Sequence, residues 1–421
     1  MKFISDLSMP VKLLGLLAFL IGVVHCKPEK ATNSTTAKIQ AMTVNIPEGK
    51  PWSERMALSV MKRAPEAWMN DFQKSPRWTY TIGLVLNAVN QVADAKNNPV
   101  YFEYARGYAD TMILADGTIR DYDLDKFNID NIAPGPYLMS VYQKTKEERL
   151  KTAMNTLMYQ LKWQPQTTDG GYWHKLRYPW QMWLDGLFMG EPFQAEYAAK
   201  FDRPELFDHI ARQFILAEKH TRDPGTGLLY HAWDESRVQR WSNPETGCSG
   251  HLWGRADGWY CMGLVEVLDF FPKDHPQREE LIAILNRTLE AVVKVRDPET
   301  HTWWQVLNLP ERKGNYLEST ASCMFTYAMI KGVNEGYLDQ KYRAIARESY
   351  DGILKTFIKV DGSGEVHLTN CCSVAGLGGD PYRDGSFEYY ISEPIRDNDP
   401  KGIGPFIMAS LEFEKNRTMA N

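Results

Sequence analysis

Long apolar runs are nearly missing from this chain, and cysteine is scarce. The one extended apolar stretch, LLGLLAFLIGVV at 13–24, is shorter than the roughly 20 residues a helix needs to cross a bilayer. A polytopic membrane protein is thereby excluded. Six cysteines stand at 26, 248, 261, 323, 371 and 372, with no CxxC pair and no zinc-ligand spacing. That pattern argues against a disulfide framework. Cys261 and Cys323 fall in apolar runs and read as small core residues, while the adjacent Cys371 and Cys372 could bond only in a strained ring, so free thiols are expected. Charge of one sign is lacking too, the formal net charge being −5 over 421 residues. Nothing in it suggests nucleic acid as a partner. HExxH, GxSxG, Walker and GxGxxG signatures are absent, which argues against zinc peptidase, serine hydrolase and nucleotide chemistry.

What is present is a globular composition, 43% hydrophobic and 24% charged, with 13 Trp and 21 Tyr. Flat rings with polar edges suit sugar faces, although most large aromatics are core. Lys2 and Lys12 ahead of the apolar run make residues 1–26 a secretory signal peptide by pattern. Export is therefore expected, to a periplasmic or outer-membrane-anchored location. Cys26 follows the run and leaves a lipoprotein signal open, though His25 is larger than the residue that usually precedes a lipidated cysteine. That anchor would be the only tie to a membrane. Residues 27–50 are polar and unpatterned, a linker, and 51–421 form the expected catalytic domain.

Helical periodicity recurs over 51–73, 77–96, 99–114, 129–145, 146–162, 180–199, 204–220, 255–270, 277–296, 315–335, 339–357 and 401–414. Alternating strands are scarce. About twelve helices without a βαβ rhythm favour an all-α toroid of paired helices, with an irregular helical bundle as the alternative. Long loops at 163–179, 221–254, 297–314 and 358–400 hold most of the unusual residues and form one cleft if they share a rim.

The segment WHKLRYPWQMWLDGLFMGEP, 173–192, sets Asp185 among Trp180, Met182, Trp183, Leu184, Leu187, Phe188 and Met189. An unpaired charge there is expensive, so this acid is hydrogen-bonded, paired, or held neutral as a proton donor. It also fits a helix start, where it would compensate the dipole. His174 and Lys175 precede it, so a cation and apolar rings would pull its protonation in opposite directions. Asp130 is either a helix cap or a second carboxylate facing Asp185. Asp121, Asp123 and Asp125 alternate as in a calcium loop but lack its glycine and closing glutamate, so no metal site is expected. His231, Trp233, Trp253, Arg255 and Trp259 mix rings with one planar cation, which suits a substrate carboxylate or an ordinary salt bridge.

Together WHKLRYPWQMWLDGLFMGEPF, YHAWDES, HLWGRADGWYCMGLVEVL, GNYLESTASCMFTYAMIKGVNEGYL and CSVAGLGGDPYRDGSFEYYISEPIRDNDPKGIGPFIMASLE resemble the unsaturated glycuronyl hydrolases of glycoside hydrolase family 105. The similarity runs from about Trp52 to the C-terminus. It implies a single (α/α)6 barrel acting at the non-reducing end of oligosaccharides left by polysaccharide lyases, with no metal or organic cofactor. It implies that Asp185 is the catalytic acid/base and Asp130 a second active-site carboxylate. His174, Lys175, Trp183, His231, Trp253, Arg255 and Trp259 match pocket-lining positions, with Arg255 the candidate partner of the substrate carboxylate and Trp183, Trp233 and Trp259 stacking on the ring. Ala256 and Asp257 receive no role. Another sugar enzyme of the same fold, a polysaccharide lyase or epimerase, and a non-catalytic surface glycan-binding protein are the alternatives.

Overall fold

The computed structural model describes residues 44–418, and side chains over 44–415. The export segment and most of the linker lie outside the described residues. Among those described there are thirteen α-helices, numbered in chain order. Six form an outer layer: α1 (Trp52–Arg63), α3 (Pro99–Met112), α5 (Glu148–Trp163), α7 (Leu206–Thr221), α9 (Arg278–Lys294) and α11 (Lys341–Thr356). Six form an inner ring: α2 (Tyr80–Lys96), α4 (Gly135–Thr145), α6 (Leu184–Lys200), α8 (Gly254–Leu268), α10 (Ser319–Asn334) and α13 (Pro400–Thr418). Each inner helix packs on the next, and α13 returns to α2, so the ring closes. The first outer helix, α1, completes the last hairpin by packing on α13. This is an (α/α)6 barrel; the thirteenth helix, α12 (Phe387–Ser392), is a short addition within one connection.

Side chains explain which helix goes where. Every residue of α10 from Ser319 to Val333 is buried, and α8 is buried from Gly254 through Val265, as helices covered on all sides must be. Outer helices such as α9 and α11 keep one polar face. Close approach inside the ring needs glycine: a Cβ at Gly135 would stand 2.2 Å from Phe193 Cγ, and one at Gly404 would stand 2.7 Å from Leu84 Cγ. No helix among the described residues is long and apolar enough to cross a membrane. Cys248, Cys261, Cys323, Cys371 and Cys372 are buried free thiols.

Hairpin connections differ at the two ends. Those leading from an inner to an outer helix are short, at 97–98, 146–147, 201–205, 269–277 and 335–340. Those leading into an inner helix are long, at 64–79, 113–134, 164–183, 222–253, 295–318 and 357–399. All the long ones therefore share the rim where the inner helices begin. Two are stitched together by β1 (Gln181–Trp183) and β2 (Ala232–Asp234), antiparallel with Met182 opposite Trp233. Two further hairpins pair β3 (Ile358–Val360) with β4 (Val366–Leu368), and β5 (Cys371–Cys372) with β6 (Ile395–Arg396).

The expected helices differ from the observed ones mainly at their starts. The span 51–73 breaks at Ala64, ahead of Pro65, and resumes as a 3-10 turn, Ala67–Phe72, because a proline disfavours helical backbone in the residue before it. Starts expected at 129, 180 and 315 fall on backbone that is not yet α-helical, and α4, α6 and α10 begin four to six residues later. Apolar residues there, such as Ile129 and Met182, are buried by the rim connections rather than by a helix.

Candidate active site

Asp185 is the second residue of α6, and the rim fixes where that helix begins. Trp183 ends β1 in extended backbone (φ −116, ψ 142), and Leu184 N–H donates to the His231 carbonyl at 3.0 Å. That bond brings His231 against the first turn. Its Nε2 lies 3.2 Å from Asp185 Oδ2, with the N–H direction off the oxygen, so this is an electrostatic contact rather than an aligned hydrogen bond. Burial pushes the His231 pKa down, only partly opposed by Asp185. On its other side Nδ1 is 2.8 Å from the Tyr390 hydroxyl, a phenol whose pKa burial holds well above its ordinary value. With the ring proton on Nε2, toward the Asp185 carboxyl, Nδ1 is free to accept from the phenol.

Asp130 has the opposite partners. It sits in a 3-10 turn, Ile129–Ile132, ahead of α4, where Asn128 Oδ1 accepts from its amide at 3.2 Å. Ile129 N–H bonds the His174 carbonyl, which draws the next loop alongside. Lys175 Nζ then lies 2.5 Å from Asp130 Oδ2 and His174 Nε2 3.2 Å from Oδ1. Burial alone would raise this carboxyl, but Lys175 and then His174 outweigh it and hold the group far below the usual carboxylate range. Asp130 is ionised at neutral pH.

Trp183 joins the two assemblies. It stacks on His174 (centroids 4.6 Å, 6°) and on Tyr178 (5.0 Å, 15°), and it meets His231 edge-on at 5.3 Å. Buried among these rings it is a spacer, not an open platform. Tyr80, the first residue of α2, sits in the field of Asp130, Arg255, Asp399 and Asp185, which marks it as central to the group.

Asp185, His231, Trp183, His174, Lys175 and Asp130 are thus brought together. The remaining candidates lie deeper or elsewhere. Trp253 is fully buried, 4.6 Å from His231, and its Nε1–H donates to Gln305 Oε1 at 3.2 Å. Arg255 is buried over Trp253, with Nη1 donating to the Cys372 carbonyl. Trp259 packs on Phe188 at 4.7 Å and on Tyr80 at 6.3 Å, inside the ring. Trp233 lies flat on His220 at 3.6 Å and donates to the Thr246 carbonyl at 3.1 Å. An indole covered in that way offers no free face to a sugar.

The open space begins beside Asp130. A cavity of about 460 Å³ is lined by Trp78, Tyr80, Asp130, Asn131, Arg396 and Lys401. Its cations are tied to two acids: Asp399, fully buried, accepts from Arg396 Nε at 2.6 Å and from Lys401 Nζ at 2.8 Å, and Asp71 accepts from Arg396 Nη2 at 2.6 Å. Tyr80, Tyr390, Arg396 and Lys401 were missed in the sequence; Tyr80 and Lys401 fall in otherwise ordinary helix starts, Tyr390 in the short α12 and Arg396 in β6, and only the tertiary fold brings them together. Asp257 is buried, accepts from Leu229 N–H at 3.1 Å, and is raised to about 8 by burial. Among the described residues, the His, Cys, Asp and Glu atoms near enough to share a metal ion are those of Asp361, Glu365 and His367 on the β3–β4 hairpin, where Glu365 already pairs with Lys62 and Arg63.

A closed ring of helix hairpins whose loop-rich rim holds two carboxylates in contrasting environments defines an (α/α)6-barrel enzyme fitted for acid-base chemistry. The chain belongs to Glycosyl Hydrolase Family 88, whose sequence pattern matches residues 52–417. A solved glycoside hydrolase of family 105 from C. acetobutylicum ATCC 824 is 43% identical, with a TM-score of 0.84, covering 87% of this chain and 100% of that one. Protein Atu3128 of Agrobacterium fabrum is 41% identical over 230 residues, 53% of this chain and 97% of its own length. The unsaturated rhamnogalacturonyl hydrolase YesR of Bacillus subtilis is 28% identical over 277 residues, 64% of this chain and 74% of its own. The protein is a glycoside hydrolase of the unsaturated glycuronyl hydrolase type.

Proposed function

We propose that the enzyme removes the 4,5-unsaturated uronic acid from the non-reducing end of lyase-generated oligosaccharides by hydrating its C4=C5 enol ether. The observation that carries this reading is the contrast between the two acids. Asp130 is locked ionised by Lys175 and His174, whereas the ion-pair neighbour of Asp185 is a histidine that burial keeps neutral. Of the two acids, Asp185 is the one that neither lysine nor arginine pairs with, and it takes the proton-donor role.

Asp185 protonates C4, and the electron pair of the alkene forms the new C–H bond. The cation left at C5 is stabilised by the ring oxygen. Water adds to C5 while the Asp185 carboxylate takes its proton, the acid-to-base reversal of general catalysis. The resulting hemiketal opens and expels the aglycone, so the separation of the two carboxylates carries no message about anomeric configuration. The substrate carboxylate is placed on the cavity wall that carries Lys401, Arg396 and the inner-helix N-termini, whose dipoles favour an anion.

Incubating the protein with a lyase-generated unsaturated disaccharide should abolish the ultraviolet absorbance of the conjugated double bond. A lyase would increase that absorbance on intact polymer, and a glycan-binding protein would leave it unchanged. In heavy-oxygen water the label should enter C5; label at the anomeric carbon would overturn the hydration mechanism. A panel of unsaturated disaccharides from rhamnogalacturonan, ulvan, arabinogalactan and glycosaminoglycan identifies the aglycone, and the relative named a rhamnogalacturonyl hydrolase puts the first of these at the head. We further propose export through residues 1–26; radiolabelled palmitate entering the wild type and not Cys26→Ser would identify an outer-membrane lipoprotein, and no incorporation a periplasmic enzyme.

A further inference from the structure

Two buried polar atoms next to the site have no hydrogen-bond partner in the protein, and their side chains face the same small space. One is Nδ1 of His174, the imidazole whose other nitrogen touches Asp130; the second is Oε2 of Glu191. The space measures about 10 Å³ and is closed by Ile129, Gly186, Leu187 and Gln213 among others, room for roughly one water. Glu191 lies on α6 six residues beyond Asp185 and is 1% exposed.

The surroundings leave these two groups to each other. Gln213 is used up, its Oε1 accepting from Tyr172 N–H at 2.8 Å and its Nε2 donating to the Gly170 carbonyl at 2.8 Å. The Tyr172 hydroxyl donates to the Leu161 carbonyl at 3.0 Å. Gly186 keeps the imidazole edge open, since a Cβ there would stand 3.2 Å from Nδ1. No lysine or arginine lines the space, and burial raises the Glu191 carboxyl well above its ordinary range, so it stands as an O–H donor.

We propose that Glu191 is a positioning residue for the active site: through one bridging water it donates to His174 Nδ1 and so fixes the imidazole proton on Nε2, against Asp130. The carboxyl proton stays on Glu191, the water hydrogen points at the Nδ1 lone pair, and the Nε2 proton lies on the side of Asp130, whose Oδ1 is 3.2 Å from Nε2. No bond is made or broken. The opposite tautomer would turn the Nε2 lone pair toward an ionised carboxylate and push His174 away from Asp130. Which imidazole nitrogen holds the proton is set by the bond the other one makes.

The inference rests on the reading of Asp130 as an active-site carboxylate, and its test separates the two. In 15N-histidine-labelled full-length protein, with His174 assigned by comparison with His174→Gln, wild type should show the Nε2–H tautomer. Glu191→Gln keeps a donor and should retain that tautomer, with kcat on an unsaturated disaccharide within about threefold. Glu191→Leu should lose the pure Nε2–H state and lower kcat about tenfold while KM stays within about twofold. That loss is smaller than the roughly 10⁴-fold seen where a mis-set histidine itself carries the proton. Its melting temperature should not fall, because a buried carboxyl has been replaced by an apolar group. Nε2–H persisting in Glu191→Leu, or equal losses in the Gln and Leu variants, would overturn the role. Failure of the wild type to consume any unsaturated disaccharide would sink the functional reading alone, since the tautomers are read without substrate.

Discussion

Asp185 and Asp130 are the same side chain set in different surroundings by their neighbours. Replacing Asp185 with Asn should lower kcat by on the order of 10²–10⁴, with substrate affinity by calorimetry kept within a few-fold. Asp130→Asn should lose less, because in the proposed mechanism that group moves no proton. Its effect on stability has a definite sign. The folded-state pKa of Asp130 lies below its unfolded value, so its ion pairs stabilise fully above about pH 4, the ordinary Asp range, and the benefit fades as pH falls through the folded value. The melting-temperature gap between wild type and Asp130→Asn should therefore be widest near pH 7 and shrink toward pH 3. Tyr390→Phe removes the donor to His231 Nδ1; kcat should drop about tenfold with KM nearly constant. Asp185 and Asp130 stood out in the sequence because an acid amid aromatics, or beside a Pro-Gly-Pro turn, is costly without a purpose. Tyr390 did not, since one tyrosine in EYYIS looks like another until His231 arrives from 159 residues away.

Elements were legible where they had only to be helical. The twelve long helices follow from their periodicity and stop signals, such as Asn97, left-handed at φ 46 after α2. Their beginnings were not, since residues before each inner helix are apolar for the sake of the rim, and apolar spacing alone cannot tell a rim strand from a first helical turn. Inner helices also depend on contact distances that no pattern announces. Gly135→Val would drive a side chain into Phe193 and should cost about 1–3 kcal/mol, read as a lower urea midpoint at unchanged slope.

The described residues form one closed circuit, in which α13 meets both α2 and α1. Opening any hairpin exposes its two neighbours, so helix loss and site loss should be a single event. Urea unfolding followed by far-ultraviolet circular dichroism and by tryptophan fluorescence should give superimposable curves; a fluorescence transition that precedes helix loss would show the rim coming apart independently of the ring.

Sequence by itself determined that the chain is helical, that its unusual residues lie in long loops entering alternate helices, and that two acids sit where acids are expensive. Those are local facts, set by periodicity, turn chemistry and the cost of burying charge. Which acid takes the lysine was decided only in three dimensions. Lys175 is ten residues from Asp185 and 45 from Asp130, yet it pairs with Asp130 at 2.5 Å, because the fold of the rim, not separation along the chain, sets the distances through which charges act.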